Sequence, residues 1–111
     1  MLLYFKIAGE IVIVKIQGHN VTFADVNTNF NQFYPIEAIK LNVQGCLKEN
    51  PDLEGLSNEE IRLASISRFR DHIKKLNNEN SIKDYIVTEM GKIGYSLIKI
   101  QREGFRTVTL T

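Results

Sequence analysis

Four successive apolar residues, Ile11-Val12-Ile13-Val14, constrain this chain more than any other feature. Consecutive side chains on a strand point to opposite faces. A strand made from this β-branched run is therefore apolar on both faces and belongs in the middle of a sheet. Gly9 and Gly18 bracket it, so the strand is Ile11–Gln17. Before it, Leu2–Ala8 alternates, with Leu3, Phe5 and Ile7 on one face. Gly9-Glu10 supplies a two-residue turn, and glycine at its first central position fits a type II′ hairpin. Gly18-His19-Asn20 reads as a three-residue turn into a third strand, Val21–Val26.

Beyond this meander the period changes. The stretch from Asn27 to Pro35 is rich in Asn and closes on Pro, which reads as loop. Ile36–Val43 is ambiguous: Ile39, Leu41 and Val43 alternate like a strand, while Ile36, Ile39, Val43, Cys46 and Leu47 fit a helix with Pro35 at its start. The strand is the reading adopted, followed by a short helical turn before Pro51. Ser57-Asn58-Glu59-Glu60 is a capping box. It opens a helix to about Leu76 with an apolar stripe of Leu63, Ile66, Phe69, Ile73 and Leu76. After the Asn77–Asn80 break, Ser81 and Asp84 open a second helix, with Ile82, Tyr85, Ile86, Met90 and Ile93 on its inner face. Gly94 stops it. Tyr95–Gln101 and Phe105–Leu110 form a hairpin around Arg102-Glu103-Gly104. The expected fold is α+β: an antiparallel sheet, built from the N-terminal meander and the C-terminal hairpin, with two helices packed on one face.

The chain has 111 residues, 43% hydrophobic and 24% charged. That size suits a single domain over residues 1–111, able to bury roughly two-thirds of its extended-chain surface. No apolar run approaches the length of about 20 residues that a membrane helix needs. Lys6, Glu10 and Lys15 interrupt the apolar start, so no signal peptide is read and the expected compartment is the cytosol. One cysteine, Cys46, and two histidines, His19 and His72, cannot assemble a closed Cys/His zinc site, and no cofactor is expected. Ten Asn and an excess of Ile over Leu resemble the usage of an AT-rich genome, as in a low-GC bacterium or its phages.

No catalytic constellation stands out. Nothing near Cys46 pairs it with His19 or His72, and no glycine-rich phosphate loop follows a strand. The net charge of +1 conceals a basic end: residues 91–111 carry Lys92, Lys99, Arg102 and Arg106 against Glu103. These cations could meet phosphates, although the patch is small for duplex binding. Arg62 projects within the apolar stripe of its helix. It is either an anion-binding group or an arginine that bends outward to pair with Asp52 or Glu54. Phe30, Phe33 and Tyr34 interleave with Asn in the loop. They are candidates to grip a partner, and a lid over the core is the structural alternative.

By elimination, the expected function is that of a small non-enzymatic binding protein whose partner is another protein. A regulator or inhibitor encoded by a phage or mobile element would suit the size and composition, and a homodimer or stable partner complex would follow. The alternative is nucleic-acid binding through the basic C-terminal hairpin. The helix assignments carry their own test. Phe69→Ala is expected to cost about 3 to 5 kcal/mol if the stripe is buried, and Ser57→Ala about 1 kcal/mol through the lost cap. Thermal melts measure both, and an unchanged melt for Phe69→Ala would show that the helix turns another face inward.

Overall fold

The computed structural model describes residues 1–25, 32–38, 41–102 and 107–109. Strands β1 (Leu2–Ile7), β2 (Glu10–Gln17) and β3 (Asn20–Asp25) form the meander, and β4 is the two-residue strand Tyr34–Pro35. Helices α1 (Val43–Glu49), α2 (Asn58–Lys74) and α3 (Glu79–Lys92) follow, then strands β5 (Ser96–Gln101) and β6 (Thr107–Thr109). The strands pair antiparallel in the order β4-β3-β2-β1-β5-β6, so β1 and β2 hold the middle of the sheet. The doubly apolar run lies in β2, as its pattern requires.

One face of the sheet carries the main core. Leu3 and Phe5 of β1, Val14 and Ile16 of β2, Val21 and Phe23 of β3 and Ile100 of β5 are all buried there. Ile66 and Ile73 of α2 and Ile82 and Ile86 of α3 pack onto them, so both long helices lie on this face. Phe69 is half-buried, its ring centroid 6.3 Å from that of Phe23 and 5.8 Å from that of Tyr85. A smaller cluster of Cys46, Leu53 and Ile61 joins α1 to the start of α2. Asn50 ties the same junction, donating to Cys46 O at 3.1 Å and to Ser65 Oγ at 3.3 Å.

The α+β architecture stands, with corrections inside it. The strand expected over Ile36–Val43 is absent from its described residues, 36–38 and 41–43. Pro35 ends β4, Ile36–Ala38 is a 3-10 turn whose Ile36 joins the core, and Val43 already begins α1. The deciding group is Asn42, whose side chain accepts from the amides of Gln44 (2.8 Å) and Gly45 (3.2 Å) and so nucleates a helix. The helical turn expected before Pro51 is α1 itself. On α2 the capping box is present, but Leu63 is 52% exposed and Ile61 is buried. Because α1 packs beside the first turns of α2, that end of the helix buries a different side from the end over the sheet. On α3 the cap is Asn78, whose side chain accepts from Ser81 N, so the helix starts before Ser81. Ile93 is 41% exposed rather than inward. Gly94 ends the helix as expected: its φ is +98°, and Tyr95 N donates to Met90 O while Gly94 N donates to Gly91 O.

Both hairpin turns differ from their expected form. Ile7 pairs with Glu10, so the first turn is Ala8-Gly9, and both residues have positive φ (44° and 87°), the type I′ pattern. Gln17 pairs with Asn20, so the second turn has two residues, Gly18-His19, and Gly18 alone has positive φ (60°), the type II′ pattern. The third strand begins at Asn20. Val26, Phe105 and Leu110, expected in strands, lie outside the described residues.

Ala8 therefore holds a left-handed conformation that costs an L-residue with a Cβ about 1 kcal/mol or more. Ala8→Asn converts the turn to the preferred Asn-Gly sequence and is expected to stabilise the fold by about 1 kcal/mol. A rise in the urea midpoint measures this; an unchanged midpoint would mean that the turn carries no strain.

Candidate functional site

Pairing register fixes which residues share the face opposite the helices. Lys99, Tyr4, Ile13 and Ala24 are in register across β5, β1, β2 and β3. The next row runs Gln101, Leu2, Lys15, Thr22 and Pro35, and a third runs Ser96, Lys6 and Ile11. Ile13 and Ala24 are buried at the centre, Lys6 is exposed, and Tyr4, Lys15, Thr22, Lys99 and Gln101 are half-buried. Among the described residues no helix packs on this outer face, since α2 and α3 bury their apolar residues against the other.

Charge is segregated between the two faces. The three lysines of the strands, Lys6, Lys15 and Lys99, all occupy outer positions. Among the described strand residues the acidic ones stand at register positions of the opposite parity: Glu10 is paired with Ile7, and Asp25 with Val12. Tyr4 has a lysine two residues along its own strand, another directly across on β5 and a third diagonally on β2. The Lys99 Nζ lies 4.7 Å from the centroid of the Tyr4 ring, and Lys15 Nζ lies 5.1 Å from that of Phe33. The Tyr4 hydroxyl donates to Gln101 Oε1 at 3.2 Å. Among the described residues no carboxylate comes within 4.0 Å of any of these three ammonium groups. The side-chain ion pairs fall instead on the helical side, as in Arg68 with Asp52, Arg70 with Glu37 and Lys92 with Glu49 and Glu89.

The candidate residues from the sequence divide accordingly. Of the basic set, Lys99 is on the outer face. Arg102 donates to Asn80 Oδ1 of α3 at 3.3 Å and so turns to the helical side. Lys92 lies at the end of α3 between Glu89 (3.0 Å) and Glu49 (3.5 Å). These three cations do not share a face, and Arg106 lies outside the described residues. Arg62 pairs with neither Asp52 nor Glu54. Its Nε donates to Leu41 O at 2.9 Å, and it borders a shallow open groove with Asn42, Val43, Gln44 and Asn58. Asp52 is taken by Arg68, whose hydrogen bond lowers the Asp52 pKa. Of the aromatic set, Phe33 is half-buried beneath Lys15, Tyr34 is 41% exposed in β4, and Phe30 lies outside the described residues. Sequence reasoning missed Tyr4, Lys6 and Lys15. Alternation along β1 and β2 is the signal that groups them on one face.

The groups considered for catalysis or metal binding do not converge. His19 Nε2 donates to Leu76 O at 2.8 Å, His72 stacks on Tyr85 at 4.0 Å, and Cys46 is buried in the smaller cluster. Among the described residues no three His, Cys, Asp or Glu side chains are placed to hold a metal ion. No described helix is long and apolar enough to cross a membrane. Compared with protein-family models, with curated proteins and with solved structures, the chain matches none.

The α1–α3 junction is electrostatically poised. Burial pushes the Glu49 carboxyl above its ordinary pKa and the neighbouring Glu89 adds to this, while Lys92 opposes it. Glu49 thus holds its proton more tightly in the folded chain than in the unfolded one. That contribution is present below the ordinary pKa and is lost as pH rises through the raised value. Lys92→Met removes the opposing cation. The variant is expected to lose stability relative to the parent between about pH 4 and about pH 7. Urea midpoints at the two pH values measure it; a pH-independent difference would overturn the coupling.

Proposed function

We propose that this protein is a small non-enzymatic binding module, a regulator or inhibitor that acts by docking on another macromolecule through the outer face of its sheet. The observation that carries this reading is the segregation of charge. Lys6, Lys15 and Lys99 share a face that no described helix covers, with no described carboxylate within 4.0 Å of them. Three cations gathered on one face, with no described carboxylate beside them, create a local positive field that favours an acidic partner. The fold would serve as a rigid support, since the helices brace the sheet from behind. Cytosolic action and a phage or mobile-element origin fit the composition and belong to the same proposal.

A second reading keeps a protein partner at the β4 edge, gripped by Phe33 and Tyr34. It is favoured by the exposure of Tyr34 (41%) and by the shortness of β4, which leaves part of β3 without a described neighbour. Charge substitution separates the two. The chain carrying Lys6→Gln, Lys15→Gln and Lys99→Gln is expected to lose the macromolecule that the parent captures from a lysate of its source cells. Lys74→Gln with Lys75→Gln, on the helical side, should retain it. Capture by the outer-face variant equal to that of the parent would move the binding surface to the β4 edge.

A further inference from the structure

We infer that the outer face binds single-stranded nucleic acid, with Tyr4 as a stacking platform and Lys6, Lys15 and Lys99 as phosphate contacts. The inference rests on the reading of that face as the binding surface and names its ligand. Charge gives the first argument. The Lys99 ammonium lies over the Tyr4 ring, Lys6 and Lys15 stand at neighbouring register positions, and among the described residues the strand positions of this face hold no carboxylate. Such a face suits a polyanion and opposes a second copy of itself, because an isologous contact would set lysine against lysine.

Ring geometry gives the second argument. The Tyr4 and Phe33 rings each lie under an ammonium group, at 4.7 and 5.1 Å. Each ring therefore presents a face toward a flexible lysine rather than into packed core. A lysine that swings to a phosphate uncovers the ring beneath it for a base. Aromatic platforms beside cations bind single strands with little sequence preference, because every base has a π face. Gln101 already accepts from the Tyr4 hydroxyl and holds the ring in place, and its amide is left to donate. A duplex is a poorer fit. Its bases are stacked inside, and reading them takes a helix or a β-ribbon that enters a groove. Here the basic residues spread over three adjacent strands in the middle of a sheet.

Fluorescence anisotropy with a labelled oligo-dT of about 20 nucleotides, and with a duplex of equal length, tests the inference. The single strand is expected to bind more tightly than the duplex. Three phosphate contacts should weaken its binding roughly 20-fold between about 50 and about 200 mM salt. Tyr4→Leu should weaken it about 5- to 100-fold with an unchanged circular dichroism melt, and Phe33→Leu offers a second aromatic probe. The three-glutamine variant should lose the salt-dependent binding, and Lys74→Gln with Lys75→Gln should keep it. Absence of single-strand binding at low salt, equal affinity for the duplex, or equal loss in the helical-side variant would overturn the inference. If oligonucleotides fail while the three-glutamine variant still loses the macromolecule captured from lysate, the nucleic-acid ligand falls and the binding face stands. Retention of that macromolecule by the variant brings down both.

Discussion

The structure depends on the double pairing of β1. Its hairpin partner β2 is the next strand in the chain, but its other neighbour is β5, which the chain reaches only after all three helices. Leu3 and Phe5 on β1 are fully buried, so this strand is also where the inner core is anchored. Everything between β3 and β5 has to return the chain to the free side of β1. On the way it must cover the apolar row of Leu3, Phe5, Val14 and Ile16. Helices α2 and α3 do both. Gly94 finishes the return: its left-handed turn leads into β5, with an ideal Cβ there only 3.1 Å from Ile7 Cδ1.

Covering one face leaves the other to solve a different problem. A central sheet face with no helix on it needs side chains that shield apolar neighbours and still meet solvent. Lysines do this, because their stems are apolar and their ends are charged. The pairs of Lys99 with Tyr4 and Lys15 with Phe33 follow from that requirement. The same arrangement concentrates positive charge where no described carboxylate answers it. A structural necessity on this face thus also supplies the charge on which the proposed binding surface rests. In the groove beside Arg62, by contrast, the arginine is committed to Leu41 O.

Local chemistry explains which elements could be read from the residues. The Ser57 box and the Gly94 stop act through backbone groups within a few residues, and both appear as their patterns imply. The type II′ assignment failed because one residue of register decides which two positions form a turn, and Gly9 fits the second position as well as the first. Alternation at Ile39, Leu41 and Val43 suggests a strand, yet the Asn42 cap, bonded to amides two and three residues on, acts more directly than a pattern. Leu63 and Ile93 follow helical spacing but are 52% and 41% exposed. Spacing names a stripe on a helix; it does not say how far along the helix a partner extends. For the site, alternation held the information that Tyr4, Lys6 and Lys15 share a face, whereas the partnership with Lys99 needed the pairing of β1 with β5.

By itself, then, the sequence determined the α+β class, the central position of the Ile11–Val14 strand, the Ser57 cap of α2 and the inward faces at Ile66, Ile73, Ile82 and Ile86. These follow from periodicity and from hydrogen bonds that close within a turn. Tertiary structure alone decided that α1 draws Ile61 inward and leaves Leu63 out, and that Arg102 turns to Asn80 while Lys99 stays on the opposite face. It also decided that Lys99, from near one end of the chain, meets Tyr4 and Lys6 from the other. The reason is that a local pattern fixes the direction of a side chain relative to its own backbone. What that side chain meets depends on which distant segment pairs alongside, and here that segment is β5.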